Sequence, residues 1–297
     1  MLLSTAGRPD RKTAKTVIRT AVERGITLID SADAYCLDDG ERGHNERLIA
    51  EALAELNMRA GEDAPVVVAT KGGNTRPGGR WVQDGRPDHL REACHASLRA
   101  LKVERIALYH LHVPDRRVPF AESVGALARL REEGKIAAVG VSNVTLAQVR
   151  EAETIVPLSS VQNAASVWDV GYRQSPIIRH CAARGIVFLA YSPLGGRDRA
   201  VELERGRELV ALAQAIGVTP HELSLAWLMS AAPVVVPIPG ARRVSRIDSH
   251  VRALTLRLAA RDRRRVTRAL RRLPGVEGMR EKLVRRITAA IGLTSGR

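Results

Sequence analysis

The sequence predicts an α/β fold, a (β/α)8 TIM barrel whose N-terminal hairpin and first strand are truncated or missing. Three observations predict it. Short β-branched runs alternate with amphipathic stretches of about ten residues or more along the chain, the pattern of βαβ units around a parallel sheet. Polar residues gather where those runs end, and the C-terminal ends of strands are where such a barrel places its chemistry. No GxGxxG follows a first strand, which counts against a doubly wound dinucleotide-binding sheet.

The elements follow in order. An amphipathic segment at 11–24 closes at Gly25 and leads into an apolar strand at 26–29. A helical signal at 41–56 precedes a strand at 66–70, and Pro87 then opens a helical pattern, as Pro does at helix starts. A strand at 106–112 is followed by a helix at 120–133, closed by Gly134. Three further strands, at 137–142, 159–162 and 186–191, each lead into helical signals at 146–153, 176–184 and a longer region ending near Ala231. A strand at 234–237 and a helix at 244–254 close the series. That makes seven strands where a barrel of this class has eight. The missing one would precede Arg11, where residues 1–4 alone are available. Either that strand is badly shortened, or the natural start lies upstream of Met1. The whole of 1–297 reads as one barrel domain, with 261–297 as a basic, helical C-terminal tail.

Composition narrows the function classes. With 45% hydrophobic but only 3% aromatic residues, the core must rest on Leu, Val, Ile and Ala. Cys36, Cys94 and Cys181 are few, odd in number and scattered, which argues for a reducing compartment and against a disulfide framework. No CxxC or His/Cys cluster suggests a metal site. The N-terminus lacks the apolar core of a signal peptide, and no apolar run reaches the ~18 residues of a membrane span. A cytoplasmic protein is the expectation. The net charge of +15 is local: from Ala241 onward there are 17 Lys/Arg against 4 Asp/Glu, which is 13 of the 15. That stretch has no Phe, Tyr or Trp to stack on bases, so no nucleic-acid partner is expected. It reads as a phosphate-binding site plus a solvated helix face.

The polar residues at the strand ends are Asp30 and Tyr35, Lys71, His112, Ser142 and Asn143, Gln162 and Asn163, then Tyr191 and Ser192; the last strand ends in PIPGARR. The segments IDSADAY, VVVATKGG, LYHLHVPD, GKIAAVGVSN, SVQN, LAYSPLGG and VVPIPGARR resemble, in order and spacing, the successive strand-end motifs of the aldo-keto reductase superfamily, and in particular its bacterial NADP-dependent members. The resemblance runs from about Arg11 to about Leu256.

It implies a catalytic tetrad of Asp30, Tyr35, Lys71 and His112, which makes chemical sense. Reducing a carbonyl needs hydride at carbon and a proton at oxygen. A phenol with a pKa of ~10 is a poor acid at neutral pH, and a neighbouring ammonium lowers that pKa. Lys71 would play this part, Asp30 would hold Lys71, and His112 would bind the carbonyl oxygen beside Tyr35. Other readings stay open at this point. Asp30 could cap a turn, Tyr35 could be packing, and Lys71 could be a Schiff-base nucleophile, as in an aldolase. His110 and His112 face the same side of a strand, and only the resemblance selects His112.

By the same resemblance, Ser142, Asn143 and Gln162 would clamp a nicotinamide carboxamide, with Tyr191 stacking under the ring. Ser192, Leu194 and Gly195 would line the pyrophosphate. Gly240 would also touch the cofactor, and Arg242, Arg243 and Arg246, at a helix start, would take a 2′-phosphate, which selects NADP(H). Trp81, in the long Gly-rich loop after Lys71, and Trp168 are candidate substrate-facing residues, whereas Trp227 in LAWLM reads as core. The expected partner is a small-molecule carbonyl substrate, with no membrane. A cofactor-binding regulatory subunit without catalysis is the alternative beside the aldolase. The C-terminal tail would be a pocket cover, an oligomer contact or a solvated helix, so a homo-oligomer stays open.

Four positions depart from the family pattern. The opening hairpin and most of the first strand are absent. Ala164 and Ala165 stand where bulky and aromatic residues are usual, which suggests space for a larger substrate. Ser249 and His250 replace Glu and Asn, which puts adenine contacts in doubt. Cys36 follows Tyr35 where Gly is common, and reads as a small filler.

Overall fold

The computed structural model describes residues 3–61, 64–274 and 276. Its chain runs α1 (Arg11–Glu23), β1 (Leu28–Asp30), α2 (His44–Ala54), β2 (Val67–Gly72), β3 (Asn74–Thr75), β4 (Val82–Gln83), α3 (Pro87–Leu101), β5 (Ile106–Leu111), α4 (Phe120–Glu132) and β6 (Ile136–Ser142). It continues through α5 (Leu146–Glu153), β7 (Leu158–Ala164), α6 (Pro176–Arg184), β8 (Val187–Tyr191), α7 (Gly196–Ala200), α8 (Arg207–Ile216), α9 (Pro220–Met229), β9 (Val235–Ile238), α10 (Val244–Thr255) and α11 (Ala260–Arg271).

Seven strands pair in parallel in the order β1-β2-β5-β6-β7-β8-β9, a nearly closed (β/α)8-type barrel ringed by helices. All seven strands read from the sequence are present. The sheet is open between β1 and β9, where an eighth strand would complete the wall. Residues 3 and 4 do not extend that wall. Leu3 is buried in the core, and the Ser4 hydroxyl donates to Asn45 Oδ1 at 3.1 Å. Residues 1 and 2 of the expected strand remnant lie outside the described residues.

The helices form for local reasons. In α1, Ala14, Val17, Ile18 and Ala21 fall on one face and are buried, and Asp10 caps the N-terminus by accepting from Thr13 N at 2.9 Å. Capping boxes start α5 (Thr145 with Gln148) and α9 (Thr219 with Glu222). The long helical region read after β8 is in fact three helices. α8 stops at Gly217, which takes a left-handed φ of 77°, and Thr219 with Pro220 restarts the chain as α9. Periodicity alone ran through that break. No single helix of the described residues is long and apolar enough to cross a membrane.

Trp227 is fully buried on α9, its Nε1–H donating to Thr267 Oγ1 at 2.9 Å. That bond ties α11 to the barrel, along with buried Val266, Ala269 and Leu270. No residue of α11 lines the large cavity described below, so this part of the tail does not cover it. The expectation for 277–297 lies outside the described residues.

Candidate active site

β1, β2 and β5 deliver three side chains to one point. β1 ends at Asp30, β2 carries Lys71 opposite His110 in register, and His112 follows directly on the last residue of β5. The turn after β1 brings Tyr35 back over them, with Asp33 N–H donating to Lys71 O at 3.2 Å and Tyr35 N–H to Ala32 O at 3.1 Å. The buried Lys71 ammonium donates to Asp30 Oδ2 at 2.7 Å, to Ser31 O at 2.6 Å and to Tyr35 Oη at 3.4 Å. The Tyr35 and His112 rings stand edge to face at 5.9 Å. Four side chains named from the sequence therefore meet.

The electrostatics follow from burial and the ion pair. Burial pushes the Asp30 carboxyl up and the Lys71 ammonium down, but each group's partner outweighs that: Asp30 is held below its usual value and Lys71 above its own. Both stay charged at neutral pH. This bears on the aldolase reading, because a Schiff-base nucleophile needs a free amine lone pair. For Tyr35 the expected sign is corrected. Lys71 does pull the phenol down, but burial, with Asp30 adding, pushes harder, and the net direction is upward. Tyr35 is thus kept as a phenol that holds its proton. Burial, then Lys71, drops His112 to about 3, so its imidazole is neutral.

His110 and His112 separate cleanly. His110 lies wholly inside the barrel, its Nε2 2.8 Å from Ser160 Oγ, under Gly140, where a Cβ would meet the His110 ring at 2.4 Å. His112 lines the cavity at the strand ends.

Behind the Tyr35 turn, Asp33 is fully buried with neither carboxyl oxygen hydrogen-bonded, although Arg42 Nε lies 3.8 Å from Oδ2. Burial, then Glu46, pushes its pKa up to about 8. An acid whose folded pKa is raised adds stability below its unfolded value of ~3.9 and loses it as pH climbs to the folded one. Asp33→Asn is therefore expected to melt at a higher temperature than the natural protein at pH 8, with the gap narrowing toward pH 4. Parallel melting curves across that range would contradict this.

The second group of candidates lies in the same space. A cavity of about 1330 Å³ is lined by Asp30, Tyr35, Trp81 and His112 at one end and by Gly240, Arg242, Arg243 and Arg246 at the other. Between them lie Ser142, Asn143, Gln162, Tyr191, Ser192 and Leu194. Asn143, at a left-handed φ of 59°, donates through Nδ2 to His112 O at 3.0 Å and accepts from the Tyr191 hydroxyl at 2.7 Å. Gln162 Nε2 donates to Asp30 Oδ1 at 2.8 Å. These bonds splice the two groups together, a connection that strand-end motifs cannot reveal. Asn163 instead exchanges two bonds with the Val144 backbone and holds the loop.

Arg242 spends its guanidinium on Gly7 O at 2.8 Å and Ala6 O at 3.3 Å. Arg243 and Arg246 are exposed at the first turn of α10 and pair with no carboxylate among the described residues. Lys71 and Gly195 do not line the cavity. Gly195, at φ +81°, lies against Trp168, where a Cβ would come within 2.4 Å of the indole.

The two substrate-facing candidates part company. Trp81 is 48% exposed, lines the cavity, and stands edge to face with Tyr35 at 6.3 Å and His112 at 5.9 Å. Trp168 is 3% exposed and absent from the cavity wall; its Nε1–H donates to Leu194 O at 2.9 Å, so it sits beneath the loop after β8. Ala164 and Ala165 do not reach the cavity either. Ser249 is buried, whereas His250 does line the cavity, beside Arg246. Asn74 and Gln83 also line it and were not foreseen, because the loop after Lys71 folds back as the β3–β4 hairpin.

Residues 1–271 match the Aldo/keto reductase family. A probable aldo-keto reductase 1 of Glycine max is 31% identical over 282 residues, spanning 86% of this chain and 78% of that protein. The glycerol dehydrogenase AKR11B4 of Gluconobacter oxydans superposes with a TM-score of 0.76 at 25% identity, covering 91% of this chain and 88% of that one. An aldo/keto reductase of Klebsiella pneumoniae, solved with NADP and acetate, has the same fold (TM-score 0.73, 24% identity, 91% and 90% covered). The chain belongs to the aldo/keto reductase family, oxidoreductases that act on carbonyl compounds.

Proposed function

We propose that this protein reduces an aldehyde or ketone to an alcohol with NADPH, and that Tyr35 donates the proton. The observation that carries the reading is the buried Lys71 ammonium, bonded to both Asp30 and Tyr35 at the head of a cavity whose far end is lined by Arg242, Arg243 and Arg246.

The cavity suits a phosphorylated dinucleotide by the chemistry of its donors. At its far end, α10 starts without a side-chain cap, and Arg243 and Arg246 offer guanidiniums that pair with no carboxylate among the described residues. At its near end, Ser142, Asn143 and Gln162 supply hydroxyl and amide groups matched to a carboxamide, and Tyr191 supplies a ring face. NADPH bound there would supply hydride. The solved Klebsiella pneumoniae relative was crystallised with NADP, which supports the choice.

The chain's own residues do the rest. His112, kept neutral by burial and by Lys71, can donate one hydrogen bond to a carbonyl oxygen without carrying charge. Tyr35 presents its hydroxyl proton to the same oxygen. As that proton leaves, the phenolate gains the Lys71 ammonium 3.4 Å away, so the site stabilises charge where it develops. Asp30, anchored by Gln162, keeps Lys71 charged and in place.

Titration with NADPH and NADH, followed by quenching of tryptophan emission, tests the cofactor reading. Arg246→Ala should weaken NADPH by about 10- to 100-fold, the worth of one charge-assisted hydrogen bond of ~1.5–3 kcal/mol, and leave NADH nearly unchanged. Equal weakening of both would mean that Arg246 does not read the 2′-phosphate.

A further inference from the structure

The β3–β4 hairpin forms one wall of the candidate site, with Asn74, Trp81 and Gln83 facing the cavity. Its strands are two residues each, too short to hold their own geometry. It is held from outside, at both ends.

At its turn, Arg76 N–H donates to Asp39 Oδ1 at 2.6 Å, and the Arg76 guanidinium donates to Gly79 O at 2.6 Å while lying 4.2 Å over the Trp81 ring. At its base, Asp115 is the hub. Its Oδ2 accepts from Gly85 N–H at 3.1 Å and from Arg117 Nη2 at 2.9 Å, and its Oδ1 accepts from Arg117 N–H at 2.9 Å and Nε at 3.0 Å. Arg117 Nη2 also donates to Gln83 O at 2.5 Å, which ties the end of β4 to the loop after β5. Close packing completes the joint: a Cβ on Gly85 would come within 2.9 Å of both Asp115 Cβ and Ser123 Oγ. The guanidinium, helped by the two backbone donors and against the cost of burial, pulls Asp115 down to about 2, so the latch stays charged at any working pH.

Asp115 lies three residues after His112. One short segment thus carries both the ring that faces Tyr35 and the carboxylate that holds the opposite wall. We propose that Asp115 and Arg117 are positioning residues for the carbonyl substrate: they latch the hairpin so that Trp81 and Gln83 stand at a set distance from Tyr35 and His112. This rests on the carbonyl-reductase reading above. A substrate large enough to touch the wall is oriented by it, and loosening the wall lowers the share of bound molecules in reacting geometry. A small aldehyde that reaches only Tyr35 and His112 is indifferent to it. Arg117 is itself 69% exposed, so removing it tests the latch without opening the core.

The test compares the natural protein with Arg117→Ala and Asp115→Asn, each with NADPH, against naphthaldehyde and propanal. Trp81 is the exposed tryptophan, with Trp168 and Trp227 buried, so acrylamide quenching reads the position of the hairpin without any substrate. Trp81→Phe supplies the fluorescence reference. The expected result is a kcat for naphthaldehyde lowered about tenfold with a smaller change in KM, propanal kinetics and NADPH affinity unchanged, and stronger quenching. Natural quenching and natural kinetics with both aldehydes would overturn the proposal. So would an equal loss with both aldehydes alongside a lowered melting temperature, which would be a merely structural role. If the natural protein turned over neither aldehyde, the carbonyl reading would suffer, while the quenching result would still decide the latch.

Discussion

Tyr35→Phe is expected to lower kcat by roughly 10²- to 10⁴-fold, the usual worth of a positioned proton donor, with NADPH affinity unchanged. The substitution removes one oxygen, the one 3.4 Å from Lys71 Nζ, and leaves the ring to pack against Trp81 and His112. Because burial raises Tyr35 above its ordinary phenol value, the natural protein should keep its proton donor past pH ~10, and any alkaline limb in kcat/KM should lie above that. Single-turnover measurement of NADPH oxidation across the pH range checks both points. A Phe variant that turned over at the natural rate would assign the proton to another group, with a water held near His112 the first to examine.

Lys71→Met should be the most damaging substitution to the fold as well as to turnover. Methionine fills the space but takes the ammonium away from the buried Asp30 carboxylate, which keeps the neutral Gln162 amide as a donor. Breaking one side of a buried ion pair costs about 3–5 kcal/mol, because the other charge is stranded. The stranded carboxyl escapes by taking a proton, so its folded pKa rises above its unfolded one. Stability is then retained at low pH and lost as pH rises through the new value. Urea unfolding at pH 5 and pH 8 should therefore show a larger deficit at pH 8, and Asp30→Asn added to Lys71→Met should recover much of it. Equal deficits at the two pH values would mean that the pair contributes by packing and not by charge.

Much of the fold was legible because it rests on local signals. Short β-branched runs mark all seven strands. The resemblance carried by the strand-end motifs implied that Asp30, Tyr35, Lys71 and His112 share one point, where the structure brings them together. The break between α8 and α9 was written in Gly217, Thr219 and Pro220, but an apolar pattern that continues across it conceals the stop. The β3–β4 hairpin was not legible at all. Two-residue strands carry no period, and what holds them, Arg76 and the Asp115–Arg117 pair, joins them to segments far along the chain.

The sequence by itself determined the positions of the strands, the family and which polar residue types stand at the strand ends, because those depend on residue type, order and spacing along the chain. Tertiary structure decided the rest. It put His110 inside the barrel and His112 at its mouth, though both lie on one face of a strand, since the barrel wall ends between them. It buried Trp168 beneath Gly195 and left Trp81 on the cavity wall, since two identical indoles take their roles from what packs over them. It reversed the sign at Tyr35, since desolvation depends on how much protein surrounds a group, and no local run of residues specifies that.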